Sequence, residues 1–179
     1  MTDALPISQS TNLARLGNAG DTVTFAADKD QCAAIARWSG VLSLDRFEVV
    51  VNIAKLGATR FGLDFTVTAG LAQACVVTLE PVPAQLATSF HRELHFTGPA
   101  RRKPPQADSA PEVVIDTAEE EGPEEIESLH YDLAVPALEE YVLALEPYPR
   151  CPGVEFAAPG GPQAPESPFA VLKNLKSWL

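Results

Sequence analysis

The chain has little positive charge. It contains 13 lysine and arginine residues against 24 aspartate and glutamate residues, which gives a formal net charge of −11. Proteins gain affinity for nucleic-acid backbones largely because cationic side chains release the counterions of the phosphates. The composition therefore disfavours nonspecific, charge-driven binding to nucleic acid, and the same acidity suits a basic partner.

Cysteines and long apolar runs are also scarce. Cys32, Cys75 and Cys151 are odd in number and unrelated in spacing, which does not fit a disulfide framework. No run approaches the roughly 18 apolar residues of a membrane-spanning helix, and residues 1–6 lack the pattern of a secretion signal. We therefore expect a protein of the reducing cytoplasm that engages no membrane.

Signatures of catalysis are missing as well. The sequence contains no Ser/His/Asp arrangement, no Gly-rich phosphate loop and no Walker pattern. The motifs therefore point to no catalytic residue, no cofactor, no bound metal and no evident small-molecule substrate.

Alternating apolar residues dominate the centre of the chain. Residues 44–54 alternate, a turn around Gly57 follows, and a second alternating run begins at Phe61, which together predict an antiparallel hairpin. After a short interruption the phase of the second run resumes at Cys75, so the whole set is predicted on one sheet face. The set consists of Phe61, Leu63, Phe65, Val67, Ala69, Leu71, Cys75, Val77 and Leu79.

Two further strands and two helices flank this hairpin. Short strands are predicted near residues 23–25 and 86–96, the latter after a proline corner at Glu80–Pro83. One helix is predicted from a cap at Asp28 or Asp30 to Ser39, where Gly40 ends it. A second is predicted from a cap at Asp132 to Leu145, and its apolar stripe consists of Val135, Leu138, Val142 and Leu145.

These elements predict an α+β fold. We expect a twisted, mainly antiparallel β-sheet of five or six strands, flanked by two or three helices. The pattern is compatible with an open sheet and with one that closes toward a barrel. The predicted organisation is an N-terminal tail at 1–20, one domain made of 21–97 and 126–150, a flexible charged loop at 98–125, a Pro/Gly spacer at 151–166 and a C-terminal helix at 167–179.

Three stretches, in this order, resemble the YceD family, whose bacterial and plastid members are named for large ribosomal RNA subunit accumulation. They are Cys75–Val82, then Asp132-Leu133 with Leu143–Pro152, then Ser167–Lys176. The resemblance covers roughly residues 20–176 and looks closest to the alphaproteobacterial branch. The motif positions that carry it are Cys75, Thr78, Leu79, Glu80, Pro81, Phe169 and Leu172.

The resemblance implies a non-enzymatic factor needed for 23S rRNA accumulation and hence for assembly of the large ribosomal subunit. Its partner would be the large-subunit rRNA precursor or a basic ribosomal protein. The predicted contacts are Arg101, Arg102, Lys103, Lys173 and Lys176, with solvation of these side chains as the simpler interpretation. The acidic run at 119–127 is predicted to be a solvated loop or to contact a basic ribosomal protein.

Many members of that family carry a second cysteine where this chain has Thr78, together with a further cysteine or histidine, a set that suits zinc. Here only Cys75 and Cys151 remain, and two thiolates do not make a four-ligand structural site. Because a free cysteine behaves as a small hydrophobic residue, we predict core packing for Cys75. A partial metal site and redox chemistry are the alternatives.

A second function class comes from His91, Glu93 and His95. On a strand these side chains share one face, and two imidazoles with a carboxylate can bind non-haem iron. A metal-dependent enzyme is therefore the alternative to a binding protein, and a solvated polar face is the simpler interpretation. The C-terminal helix leaves two interpretations, because its apolar positions around Phe169 and Leu172 suit docking on its own sheet or in a partner's groove.

Overall fold

A computed structural model describes residues 5–98 and 122–155, and it confirms the predicted α+β class. The strands are β1 (Ser10–Asn12), β2 (Asp21–Ala26), β3 (Ser43–Lys55), β4 (Arg60–Ala74), β5 (Pro81–Phe96), β6 (Glu124–Ile126) and β7 (His130–Asp132). The helices are α1 (Lys29–Ser39) and α2 (Ala134–Leu143), with a single 3-10 turn at Leu13–Arg15. Within the described residues, neither α-helix is long and apolar enough to cross a membrane.

The strands form two sheets. The larger has the order β2-β3-β4-β5-β6, and its pairs are antiparallel except β5–β6, which is parallel. The smaller joins β1 to β7 in antiparallel register. Across the described residues the larger sheet has two edges and does not close into a barrel.

One face of the larger sheet carries the core. Every odd-numbered residue of β4 from Phe61 to Leu71 is buried, which confirms this part of the period-two prediction. The inward residues of β3 are buried too, and α1 and α2 cover them with side chains that include Ile35 and Leu138. The Tyr141 ring meets the Phe47 ring edge to face, with 5.5 Å between the ring centroids.

Helix α1 begins and ends where its sequence signals predict. The Asp28 carboxylate accepts a hydrogen bond from the Gln31 backbone N–H at 2.8 Å, and the Gln31 side chain accepts one from the Asp28 N–H at 2.9 Å. This reciprocal capping box satisfies two donors that a helix start leaves open. Gly40 ends the helix with φ 76°, a left-handed conformation in which a side chain would be strained.

The N-terminal segment differs from the predicted tail. Residues 10–12 pair with β7, and Leu13 is buried in the core. The Asp132 carboxylate fixes this pairing, because it accepts hydrogen bonds from the Ser8 hydroxyl at 2.6 Å and from the Gln9 N–H at 2.7 Å. These contacts join residues more than 120 positions apart, and no local pattern announces them.

The prediction that the β4 alternation continues through Val77 and Leu79 is wrong. The Cys75 N–H donates to the Glu80 carbonyl at 2.8 Å, and the Cys75 carbonyl accepts from the Leu79 N–H at 2.9 Å, so the chain reverses here. Strand β5 then starts at Pro81, earlier than predicted. Proline suits this end of β5, because no described strand other than β4 pairs with it.

Helix α2 also differs in detail. It begins after Leu133 rather than after an Asp132 cap, although an Asp132 oxygen accepts from the Ala134 N–H at 2.9 Å and supports the first turn. It ends at Leu143, and its stripe is shifted because the face on the sheet is set by Phe47 and its neighbours. Val142 is exposed, and the buried residues are Ala134, Pro136, Ala137, Leu138 and Tyr141.

Several predicted features lie outside the described residues. They are most of the charged loop, the spacer beyond residue 155, the C-terminal helix with Phe169 and Leu172, and the cations Arg101, Arg102, Lys103, Lys173 and Lys176. One end of the predicted loop is different: β6 pairs with Leu94–Phe96, and burial of Ile126 makes this short strand part of the sheet.

Replacing Phe47 with alanine should destabilise the fold by about 3 to 5 kcal/mol, because it opens a cavity against Tyr141 in the layer that joins the sheet to α2. Urea unfolding measures the change. Leu56→Ala is the matched control, because Leu56 is exposed in the β3–β4 turn and should change the free energy of unfolding by about 0.5 kcal/mol at most. Equal losses in the two variants would contradict this placement of the core.

Candidate functional site

The Cys75 sulfur is the centre of a compact hydrogen-bonded turn between β4 and β5. It accepts hydrogen bonds from the backbone N–H groups of Thr78 at 3.5 Å and of Cys151 at 3.4 Å. Cys75 is fully buried, yet it lies outside the apolar core cluster of the domain. Its burial agrees with the predicted packing of Cys75, and its sulfur serves in addition as a hydrogen-bond acceptor beneath one turn.

The segment after α2 is held against this turn by backbone contacts. The Val76 N–H donates to the Pro149 carbonyl at 2.9 Å, and the Gln73 side-chain amide donates to the Glu146 carbonyl at 3.0 Å. The Cys151 sulfur lies 3.8 Å from the Thr78 hydroxyl. Two stretches that are about seventy residues apart in sequence thus form a single unit, which we call the Cys75 hub (residues 73–81 and 146–151).

The hydrogen bonds change the acidity of the Cys75 thiol. Hydrogen bonding from the Thr78 side chain, followed by the N–H groups of Cys151 and Thr78, lowers the pKa of Cys75 from 9.0 to about 6. At Cys151 the Thr78 hydroxyl also acts to lower the pKa, but partial burial and the neighbouring Cys75 outweigh it and raise the pKa overall. Burial raises the pKa of Cys32 in α1.

The hub does not fit a structural zinc site. Such a site takes four ligands from cysteine and histidine, whereas the hub supplies two thiols and the Thr78 hydroxyl. Across the described residues, no group of three or more histidine, cysteine, aspartate or glutamate side chains is arranged to hold a metal ion. The chemistry that the hub supports is hydrogen bonding to a sulfur.

The alternative metal site on β5 gains no support. The Arg60 guanidinium forms an ion pair with the Glu93 carboxylate, and a cation at this position opposes a metal ion. The His91 ring contacts the Asp64 carboxylate at 2.7 Å, and His95 lies opposite Arg60 in the β4–β5 register. Glu93 and His91 are thus engaged by side chains of β4, and in the described residues the three groups are not arranged to hold a metal ion.

Leu79 has an uncommon backbone conformation. Its φ of 63° lies in the left-handed region, where a residue other than glycine carries a cost of about 1 to 2 kcal/mol. Three contacts hold it there: the two backbone hydrogen bonds between Cys75 and residues 79 and 80, and the Thr78 N–H bond to sulfur. The other motif residues of the turn have structural roles, since Glu80 accepts from the Thr78 hydroxyl at 3.3 Å and Pro81 begins β5.

Sequence reasoning missed the exposed apolar side chains of the hub. Val76, Leu79 and Tyr148 all face solvent. The sequence does offer a signal for Tyr148, which lies between two prolines. Because proline breaks a helix, Tyr148 cannot be buried on a helix face. For Leu79 no local signal exists, since its period-two phase indicates a buried position.

Elsewhere the surface is acidic, and the Arg92 side chain of β5 is paired with carboxylates. The described residues contain 8 lysine and arginine residues against 16 aspartate and glutamate residues. The Arg92 guanidinium donates to Glu124 at 3.2 Å and to Glu139 at 2.6 Å. The Tyr131 hydroxyl also donates to Glu124, and burial followed by the charge of Glu124 raises the pKa of Tyr131. Arg92 is thus committed to carboxylates.

Comparison with protein-family models supplies the identification. The model described as "Large ribosomal RNA subunit accumulation protein YceD" matches residues 63–176, nearly two thirds of the chain. The chain belongs to the YceD family. The match confirms the resemblance seen in the three motifs, and the family's name indicates involvement in accumulation of the large-subunit rRNA. No curated protein and no solved structure matches the chain.

The YceD match begins within β4 and includes the whole Cys75 hub, β5 and α2. Strands β1 to β3 and helix α1 precede the matched residues, although β2 and β3 belong to the same sheet as β4. The hub therefore lies inside the part of the chain that defines the family, which makes it the candidate functional site.

Thr78→Val should raise the pKa of Cys75 from about 6 toward 9, because the side-chain hydrogen bond is its largest cause. Thiolate absorbance in the ultraviolet, recorded as a function of pH, measures the pKa. The titration step that is missing in Cys75→Ser, which lacks this thiol, belongs to Cys75. A Cys75 step near 9 in the unmodified chain would contradict the hub geometry.

The same shift predicts a pH dependence of stability. The pKa of Cys75 in the folded state lies below the ordinary value of 9.0, so the ionised thiol stabilises the fold. This contribution is complete above pH 9 and is lost as the pH falls through about 6. Between these values the free energy of unfolding of the unmodified chain should rise with pH relative to that of Cys75→Ser. Parallel profiles for the two proteins would contradict this.

Proposed function

We propose that this protein is a non-enzymatic factor required for 23S rRNA accumulation and large-subunit assembly, and that it acts by binding a basic ribosomal protein. The observation that carries the proposal is the acidic surface, on which Arg92 and Arg60 are already paired with carboxylates. Family membership supports the link to large-subunit rRNA, and the surface chemistry favours a protein over a nucleic acid as the direct partner.

A phosphate backbone and a basic protein would meet different charges on this surface. A phosphate backbone would meet a described surface with twice as many acidic as basic residues, so binding would release few counterions and would meet repulsion. A basic protein would meet exposed carboxylates such as Glu125 and Glu127, which gives complementary potentials and a faster encounter. Binding of this kind would shield a ribosomal protein until it reaches the rRNA.

The second candidate is direct contact with the rRNA precursor. The observation in its favour is the concentration of positive charge at Arg101, Arg102 and Lys103, together with Lys173 and Lys176 near the C-terminus. These five cations are more than a third of the 13 in the chain. They lie outside the described residues, and their contact with RNA stays a prediction.

Deleting this protein from its cells should lower the amount of 23S rRNA relative to 16S rRNA and deplete large subunits, as measured by RNA quantification and sucrose-gradient profiles. Complementation with the intact chain is the control. An unchanged ratio of the two rRNAs after deletion would sink the proposed function.

The immobilised chain should retain one or more basic proteins from an acid extract of purified large subunits, and retention should weaken as salt screens the charges. Naked 23S rRNA should pass through at the same salt. The matched variant Arg101→Gln/Arg102→Gln/Lys103→Gln removes three cations and should retain the ribosomal protein at least as well. Retention of the RNA, lost in this variant, would instead establish the second candidate.

A further inference from the structure

Three exposed apolar side chains belong to the Cys75 hub. Val76, Leu79 and Tyr148 are 47%, 75% and 69% exposed. The hydrogen bond from Val76 to Pro149 places the two segments side by side, so these side chains lie at the same end of the molecule. Isolated exposed apolar residues are common on proteins, but a group of them on two hydrogen-bonded segments indicates an interaction site. We call this group the hub patch.

Leu79 gives the hub patch its strongest signal. The turn holds Leu79 in the left-handed region, which glycine or asparagine would occupy with less strain. Its side chain is nevertheless mostly exposed, so apolar burial within the described part of the chain offsets little of the cost of the left-handed conformation. Residues held in sparsely populated backbone conformations cluster at binding and catalytic sites. A leucine has no catalytic group, which leaves binding.

The charges around the hub patch indicate the chemistry of its occupant. The two segments that form its surroundings, residues 75–80 and 146–155, contain Glu80, Glu146 and Glu155 against a single cation, Arg150. Apolar side chains within a mainly negative rim match a partner that offers an apolar anchor beside lysine or arginine. An RNA strand would find neither sufficient cations nor directed donors among Val76 and Leu79.

We propose that the hub patch docks a segment of a basic protein in which an apolar side chain is flanked by lysine or arginine. The rigid Cys75 turn presents Leu79 as the anchor, and Tyr148 supplies an aromatic contact of the kind that dominates protein interfaces. This inference rests on the proposed function, because a basic ribosomal protein is the partner class that both require.

Leu79→Asn separates binding from folding. Asparagine tolerates the left-handed conformation, so the variant should unfold at the same or higher urea concentration than the unmodified chain. Its affinity for the basic proteins of the acid extract should fall about tenfold or more, because the apolar anchor is lost. Leu56→Asn is the control: Leu56 is 55% exposed in the turn at the other end of β4, and its replacement should leave affinity unchanged.

The outcomes distinguish the two proposals. If the unmodified chain retains ribosomal proteins and Leu79→Asn retains them equally well, the docking surface is wrong and the proposed function stands. If the unmodified chain retains none, both are wrong.

A photo-crosslinking amino acid identifies the occupant directly. Leu79→benzoylphenylalanine should crosslink to a basic protein of the large-subunit extract, and the same replacement at Leu56 should not. Crosslinks from position 79 to residues 167–179 of the same chain, to a second copy of the chain or to 23S rRNA would each overturn the proposal, as would the absence of any crosslink.

Discussion

The Cys75 hub depends on the hydrogen bonds that the buried Cys75 sulfur accepts. They join the turn after β4 to the segment after α2, through the N–H groups of Thr78 and Cys151. An unpaired acceptor or donor at this depth would cost free energy, and here the sulfur and both N–H groups are satisfied together. The conformation of this turn then determines where the Leu79 and Val76 side chains point.

The Thr78 hydroxyl also links the two segments of the hub. It lies 3.8 Å from the Cys151 sulfur and donates to the Glu80 carboxylate at 3.3 Å. The pKa of Cys75 is lowered by hydrogen bonds to its own sulfur, from the Thr78 side chain and then from the N–H groups of Cys151 and Thr78, because hydrogen bonds to a thiolate favour the charged form. The hub is a structural support first, and its exposed rim is the part available to a partner.

Local patterns predicted the elements whose causes are local. The alternation in β3 and β4 and the capping residues Asp28 and Gly40 act within a few residues, and the structure places them as expected. Features that depend on distant contacts could not be read in this way. The pairing of β1 with β7 depends on Asp132, and the inward face of α2 depends on Phe47.

Leu79 shows most clearly why the candidate site was only partly predictable. Its motif was recognised and its phase indicated burial, but backbone hydrogen bonds from Cys75 to Leu79 and Glu80 close a turn that exposes it. Pro149 and Cys151 from the other motif contact the same turn, and no local pattern shows those contacts. The acidity that favours a basic partner was evident from composition, and the structure added that Arg92 and Arg60 are paired. Composition thus indicated the partner class that we propose, whereas the proposed docking surface could be defined only from tertiary structure.

Amide hydrogen exchange of the free and partner-bound protein tests whether the hub patch docks a basic protein. With a basic large-subunit protein bound, exchange should become slower in residues 75–80 and 146–151 and should stay unchanged in the β3–β4 turn at the opposite end of the sheet. Slower exchange elsewhere in the bound protein, with these two segments unaffected, would contradict this docking.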